Sequence, residues 1–232
     1  MMYDVANSAI IVAAGSGSRF GSGLPKQFWH LAGKTVIVHT LEKFQACPDI
    51  DEIVLVLSEN GRTLFERAVG ERSFSKLTKL VAGGATRAES VKNGLDHVHP
   101  ECEIVAVHDG ARPLVAVDEI TATIQRAADT GAACLVAEVT DTIKKVGDGE
   151  IRGTVDRCTL RRALTPQAFR VDILRRAFEN AEPNETITDE CYLLEQLGVA
   201  IAYVDGSSRN IKITREDDLE IAKALLAERS AD

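Results

Sequence analysis

An apolar run of small and β-branched residues, Ser8 to Ala14, passes without interruption into Gly15-Ser16-Gly17-Ser18-Arg19. The run is too short for a helix and shows no polar alternation, so it reads as a strand buried within a sheet. The glycines that follow let backbone N–H groups approach anionic oxygens with no Cβ in the way. Arg19 and, shortly after it, Lys26 in Leu24-Pro25-Lys26-Gln27 add two cations. A buried strand ending in backbone donors and fixed positive charge is a cradle for a polyphosphate.

Spacing decides which kind of cradle it is. The glycines fall at Gly15, Gly17 and Gly21, so Phe20 occupies the third glycine position of a dinucleotide fingerprint, and no acidic residue closes a second strand about 20 residues on. Gly33-Lys34-Thr35 fails the P-loop pattern because Phe28 stands where its first glycine belongs and no strand precedes it; the pair reads as a turn.

Further apolar runs at Ile53–Leu57, Leu77–Val81, Ile104–Val107, Cys134–Val139 and Val199–Val204 are separated mostly by amphipathic stretches such as Val36–Phe44 and Val117–Ala128. This rhythm predicts an α/β, Rossmann-like architecture: a mainly parallel twisted sheet flanked by helices, in one domain over residues 1–232. Thr86-x-x-Glu89 and Thr214-x-x-Asp217 read as capping boxes opening helices through His97 and Arg229. Asp141 to Arg157 breaks the rhythm. Its Val146-Gly147-Asp148-Gly149-Glu150-Ile151 centre predicts a β-hairpin with too little apolar surface to stand alone, hence a projecting arm used in dimerisation.

With 27 basic and 35 acidic residues the chain carries a net charge of −8, which argues against nucleic acid or an anionic membrane as partner. Anionic substrates must then be held by a few local cations. Five cysteines without a C-x-x-C pair fit a reducing cytoplasm better than a disulfide framework or zinc site. The six-residue apolar run near the start ends in a glycine loop, so neither a signal peptide nor a membrane span is expected.

Eight blocks, in order along the chain, carry a resemblance. They are the glycine loop with Leu24-Pro25-Lys26-Gln27, Gly83-Gly84-Ala85-Thr86-Arg87-Ala88-Glu89-Ser90-Val91, His108-Asp109-Gly110-Ala111-Arg112-Pro113, Asp141-Thr142-Ile143-Lys144, Thr154-Val155-Asp156-Arg157, Leu164-Thr165-Pro166-Gln167, Thr188-Asp189-Glu190 and Asn210-Ile211-Lys212-Ile213-Thr214. The chain resembles the sugar-phosphate nucleotidylyltransferases, and more narrowly the 2-C-methyl-D-erythritol 4-phosphate cytidylyltransferases of non-mevalonate isoprenoid synthesis. The resemblance implies CTP and a polyol phosphate as substrates, Mg2+ or another divalent cation as cofactor, and a homodimer with interlocking arms.

Such a transfer sets an anionic oxygen against an anionic phosphorus, so repulsion and positioning dominate the barrier. The acceptor phosphate, with a second pKa near ~6, is already largely dianionic at neutral pH and needs no general base. The five histidines show no shared spacing and read as structural or surface groups. Arg19 and Lys26 are the expected charge stabilisers on the triphosphate. Lys212 lies between two isoleucines and reads as part of a short strand, on the face opposite them; the resemblance makes it a third catalytic cation, near the α-phosphate.

The resemblance further implies a cytosine site at Gly84 and Ser90 with Ala13, Ala14, Gly15 and Gly17 around the nucleotide, and Asp109 and Gly110 beside it. Some relatives have aspartate where this chain has Ala85. Asp109 ends a buried strand, where ligands of open α/β sheets collect, and a carboxylate there can hold Mg2+ or accept from polyol hydroxyls. Arg112 reads equally as a substrate contact or as a buried ion-pair partner. Thr142 and Arg157 are implied for the acceptor phosphate from the partner subunit, and Thr165 and Thr188 for the acceptor polyol; on sequence alone Thr188 is a helix N-cap. Two rival readings are a ribitol 5-phosphate cytidylyltransferase and a non-catalytic nucleotide-binding module, the second at odds with an intact set of Arg19, Lys26, Asp109 and Lys212. Lys26→Ala and Arg19→Ala should each lower kcat at least ~100-fold while leaving the fold intact, as expected for donors acting on developing charge. Near-normal steady-state turnover in both variants would remove the assignment.

Overall fold

The computed structural model of the chain describes residues 6–15, 23–181, 187 and 189–229. In order, the elements are β1 (Asn7–Ala13), β2 (His30–Leu31), β3 (Lys34–Thr35), α1 (Val36–Ala46), β4 (Glu52–Leu57), α2 (Glu59–Val69), β5 (Leu77–Ala82), α3 (Arg87–Leu95), β6 (Ile104–Asp109), α4 (Val117–Thr130), β7 (Ala132–Glu138), β8 (Lys144–Gly147), β9 (Glu150–Thr154), β10 (Arg161–Arg170), α5 (Val171–Asn180), α6 (Glu190–Gln196), β11 (Ala202–Asp205) and α7 (Glu216–Arg229). Among the described residues the main sheet has seven strands in the order β11-β7-β10-β6-β1-β4-β5. All adjacent pairs are parallel except those that β10 makes with β6 and β7.

Side-chain alternation along the buried strands builds a core on each face. From β1, Ala9, Ile11 and Ala13 pack with Ile37, Leu41 and Phe44 of α1 and Ile120 and Ile124 of α4. Ile10 points the other way, to Val91 and Leu95 of α3 and Leu174 of α5. Each buried isoleucine, leucine or phenylalanine contributes about 1.5–3 kcal/mol, and with cores on both faces all six residues of β4 and of β6 are buried, including the polar Glu52, His108 and Asp109. Gly94 lets α3 seat closely on the sheet, since a Cβ there would lie 2.6 Å from Ile10 Cγ2. A third cluster joins Ala222 of α7 to Leu31, Val36 and Ile213.

The sequence expectation of a mainly parallel α/β sheet stands, and the turn expected at Gly33-Lys34 falls one residue earlier, at Ala32-Gly33, with Lys34 opening β3. Ala32 and Gly33 have φ of 45° and 82° and close the β2–β3 hairpin. Residues 144–154 form the expected second hairpin, turning at Asp148 and Gly149 with φ of 52° and 79°. β10 is not among the strands expected from the sequence; it holds Pro166 within a central strand because the ladder breaks register between Ala163 and Gln167, where no amide of Pro166 is needed.

Two further local expectations are corrected. Lys212 is not on a strand: residues 211–214 belong to no regular element and are tied by a hydrogen bond from Ile213 N to Ala111 O at 2.8 Å. The alternation still holds, with Ile213 fully buried and Lys212 on the opposite side. The start of α7 is capped by Asp218 rather than Asp217, its Oδ2 accepting from Thr214 N, Thr214 Oγ1 and Arg215 N. Thr86 caps α3 as expected, accepting from Glu89 N at 3.0 Å, but the Glu89 carboxylate returns to Ala85 N instead of Thr86 N.

Candidate active site

The chain order reverses at β1. β4 and β5 extend the sheet to one side, and β6 crosses back to the other, so a crevice opens beyond the C-terminal ends of β1 and β6. A cleft of about 790 Å³ lies there, bounded by Ala13, Ala14 and Gly15 after β1, Gly84 and Ser90 after β5, and Asp109 at the end of β6. Lys26, Arg87, Lys212 and Arg215 also line it, against Asp109 as the sole lining carboxylate among the described residues. In a chain with a net charge of −8 this is a local concentration of positive charge.

The side of the cleft lined by Ala13, Ala14, Gly15 and Gly84 is shaped by close backbone approach. A Cβ on Gly83 would lie 2.3 Å from Ala14 Cβ, and one on Gly110 2.9 Å from Ala13 Cβ, so these glycines let β5 and β6 close on the end of β1. Gln27 is 2% exposed and donates from Nε2 to Ala13 O and Gly15 O at 2.7 and 3.0 Å, fixing the path of the chain leaving β1. Ser90 Oγ donates to Thr86 O and accepts from Gly84 N at 3.1 Å, which sets the Gly84 amide.

Asp109 is the centre of the charged network. Lys212 Nζ lies 2.9 Å from its Oδ2, Arg112 Nε 3.3 Å from the same oxygen, and Arg87 Nε 3.2 Å from Oδ1. Burial alone would raise its pKa, but Lys212, Arg87 and Arg112 together hold it far below the usual carboxylate range. Arg87 is shared, its Nη1 donating to Glu190 Oε1 at 2.6 Å. Burial opposes the Arg87 charge, yet Glu190 and Asp109 raise its pKa; burial pushes Glu190 upward against the pull of Arg87. Arg112, given two readings from sequence, pairs with Asp109 and donates from Nη1 to Asn210 O at 2.8 Å.

Beneath Asp109 lies a neutral relay. His108 is fully buried, with Nε2 3.1 Å from Arg112 O and Nδ1 3.0 Å from Thr165 Oγ1. Burial lowers its pKa to about 4, so it carries one proton at neutral pH. A carbonyl only accepts, which places that proton on Nε2 and leaves Nδ1 to accept from Thr165. Thr165 Oγ1 in turn accepts from Asp109 N at 3.1 Å. The threonine expected on the acceptor is thus 4% exposed and braces Asp109.

The cleft therefore gathers Ala13, Ala14, Gly15, Lys26, Gly84, Ser90, Asp109 and Lys212 from the expected set. Gly110 lies directly beneath, donating to Val12 O at 2.8 Å. Gly17, Arg19 and Thr188 lie outside the described residues. Thr142 and Arg157 are exposed at the base of the β8–β9 hairpin, away from the residues lining this cleft, with Arg157 Nη1 donating to Thr140 O. Sequence reasoning assigned no site role to Gln27, Arg87, Glu190 or Arg215. Their signal was present, since Gln27 adjoins Lys26, Arg87 begins α3 and Arg215 follows the Lys212 block, but nothing local distinguishes a site arginine from a solvated one.

A cation-rich cleft at the switch point of a parallel sheet, with small residues along one side and one carboxylate at its centre, has the chemistry to take a polyphosphate, as the nucleotidyltransferase class requires. Comparison with known proteins narrows the class. The profile of the family described as 2-C-methyl-D-erythritol 4-phosphate cytidylyltransferase (IspD) matches residues 7–228. The protein of that name from Solibacter usitatus (strain Ellin6076) is 40% identical, covering 97% of both chains, and that from Symbiobacterium thermophilum is 43% identical over 95% of this chain and 93% of its own. A crystal structure of 4-diphosphocytidyl-2C-methyl-D-erythritol synthase from Anaerococcus prevotii DSM 20548 superposes with a TM-score of 0.85 at 29% identity, covering 96% of each chain. The chain belongs to the 2-C-methyl-D-erythritol 4-phosphate cytidylyltransferase family.

His108 leaves a signature in the acid stability of the fold. The unfolded chain binds its imidazole proton near 6.5 and the folded chain only near about 4, so between those values unfolding takes up a proton and acid favours it. Urea stability should fall by about 3 kcal/mol from this group between pH 7 and pH 4. His108→Gln should lack that share of the slope. The Asp109 contribution is separable, because a depressed carboxylate loses its stabilisation only below the ordinary Asp pKa of ~3.9. An unchanged slope between pH 6.5 and 4.5 in the variant would contradict this account.

Proposed function

We infer that the chain transfers the cytidylyl group of CTP to 2-C-methyl-D-erythritol 4-phosphate, releasing pyrophosphate and 4-diphosphocytidyl-2-C-methyl-D-erythritol in non-mevalonate isoprenoid biosynthesis. The observation that carries this reading is the cleft itself: four cations and one carboxylate at the switch point. The acceptor phosphate oxygen attacks the α-phosphorus in line, the new P–O bond forms as the bond to the β-phosphate breaks, and pyrophosphate leaves with the electron pair. Lys26, together with Arg19, stabilises charge on the departing pyrophosphate, and Lys212 shares its ammonium between Asp109 and the α-phosphate. No residue need remove a proton from a dianionic phosphate, and His108, with both ring nitrogens engaged, is not available as a base.

The base sits on Ala13, Ala14, Gly15 and Gly84, and with Ala85 supplying no carboxylate its edge is read by backbone groups ordered by Ser90. Asp109 accepts from hydroxyls of the acceptor polyol. The donor set does not suit a protein-held Mg2+: Asp109 is the sole carboxylate lining the cleft among the described residues, and both its oxygens already face cations. Mg2+ is therefore proposed as the counter-ion that enters with the triphosphate, and Asp109 is not its ligand. Pyrophosphate release from CTP should be fast with 2-C-methyl-D-erythritol 4-phosphate and at least ~100-fold slower in kcat/KM with ribitol 5-phosphate. The reverse ranking would transfer the chain to the ribitol reading.

The protein acts in the cytoplasm as a homodimer. No helix among the described residues is long and apolar enough to cross a membrane. The dimer reading rests on the arm: Val146 and Ile151, cross-strand partners, are 75% and 68% exposed, and β8 and β9 pair only with each other. A two-stranded hairpin of this kind needs a surface to cover it. Arg157 and Thr142 at its base then reach the acceptor phosphate in the partner's cleft, and Thr188 completes the polyol contacts. Lys26→Ala and Arg157→Ala homodimers should each be nearly inactive. Unfolded, mixed equally and refolded, they should recover about a quarter of wild-type turnover, because half the dimers then hold one intact site of two. Heterodimers without recovered activity would confine Arg157 to its own chain.

A further inference from the structure

Glu190 is fully buried, and its Oε2 has no hydrogen-bond partner among the described residues. Exchanging a whole buried ion pair for apolar residues is often neutral or stabilising, so folding alone does not require the Arg87–Glu190 pair as a unit. Nor does α6 need Glu190 as an anchor. Asp189 caps that helix, accepting from Tyr192 N at 3.0 Å, and takes Gln167 Nε2 at 2.9 Å, while Gln167 Oε1 accepts from Cys191 N at 3.2 Å. Three hydrogen bonds therefore fix the start of α6 without Glu190.

What Glu190 does hold is Arg87, whose guanidinium spans from Glu190 Oε1 at 2.6 Å to Asp109 Oδ1 at 3.2 Å. A guanidinium is a rigid planar fork, so fixing Nη1 on one carboxylate fixes how Nε meets the other. Without a charge at position 190, the fork is free to close on Asp109 as a two-point pair, the stronger arrangement for arginine and a carboxylate. Asp109 would then carry a fuller share of Arg87 in addition to Lys212 and Arg112, and would accept hydrogen bonds less strongly.

We propose that Glu190 is a positioning residue: acting through Arg87, it divides that guanidinium between two carboxylates and so keeps Asp109 available to the hydroxyl groups of the acceptor. The proposal rests on the reading of Asp109 as an acceptor ligand. Glu190→Gln keeps the shape and removes the charge. It should raise the acceptor KM about tenfold and leave the KM for CTP within about twofold, with some loss of stability in urea because Arg87 then keeps only Asp109 as a counter-charge. An acceptor KM equal to wild type overturns the proposal, as do equal losses for both substrates. Wild-type turnover, measured alongside, tests the assigned reaction separately.

A second measurement needs no substrate. The 13C resonance of the Asp109 carboxyl in the ligand-free protein, assigned by its disappearance in Asp109→Asn, should move in Glu190→Gln and in Arg87→Gln. The double variant Arg87→Gln/Glu190→Gln should show no further displacement beyond Arg87→Gln alone, because Glu190 acts only through Arg87. An Asp109 resonance that stays in place in Glu190→Gln overturns the proposal whatever the acceptor is.

Discussion

The carboxylate of Asp109, held among Lys212, Arg112 and Arg87, is the interaction on which the arrangement of the site turns. Three cations converge there because Asp109, with Glu190 taking part of Arg87, compensates them, and Asp109 stays ionised because they surround it. The three cations come from far apart in the chain: Arg87 from the start of α3, Arg112 from the loop after β6, and Lys212 from the segment before α7. Removing Asp109 would leave Lys212 and Arg112 without their carboxylate partner in a half-buried cleft, with Glu190 compensating Arg87 alone.

Such a cluster demands a scaffold that does not give way. The backbone amide of Asp109 is fixed by Thr165, Thr165 by His108, and His108 by Arg112 O, so the carboxylate stands on a chain of neutral hydrogen bonds within the core. Low surrounding dielectric strengthens those bonds and the ion pairs alike. β10 makes this possible, for it lies antiparallel beside β6 and brings Thr165 to Asp109 across 56 residues of sequence. The same neighbour relation places Asn210 Nδ2 on Thr165 O at 2.9 Å, so the segment bearing Lys212 is tied to the same strand.

Much of the scheme can be read in the residues themselves. The buried run of β1, the glycines after it, the caps of α3 and the turn of the β8–β9 hairpin follow from local rules, because strand burial, φ > 0 turns and orphan helix amides each select residue types at short range. Lys26 and Asp109 were legible for the same reason, one beside a glycine loop and the other at a strand end. β10 was not legible, since its proline fits a central strand only at a register break that exists once β7 and β10 are paired. The α7 cap was misplaced by one residue because Asp217 and Asp218 are equally good capping residues, and only the path of the chain at Thr214 chooses between them.

The amino-acid order alone thus fixed the alternation of strands and helices, the glycine-rich cradle and the kinds of side chain available to an anionic substrate, since each depends on neighbours within a few positions. It left open which of 27 basic residues would meet one carboxylate. Arg87 and Glu190 are 103 positions apart, and Arg112 and Asn210 98 apart, and no local propensity relates them. Their meeting is decided by strand order and by the packing of α3, α6 and the segment before α7 around the ends of β1 and β6. Coulomb attraction acts through space rather than along the chain, so the charge network exists only once the sheet has closed.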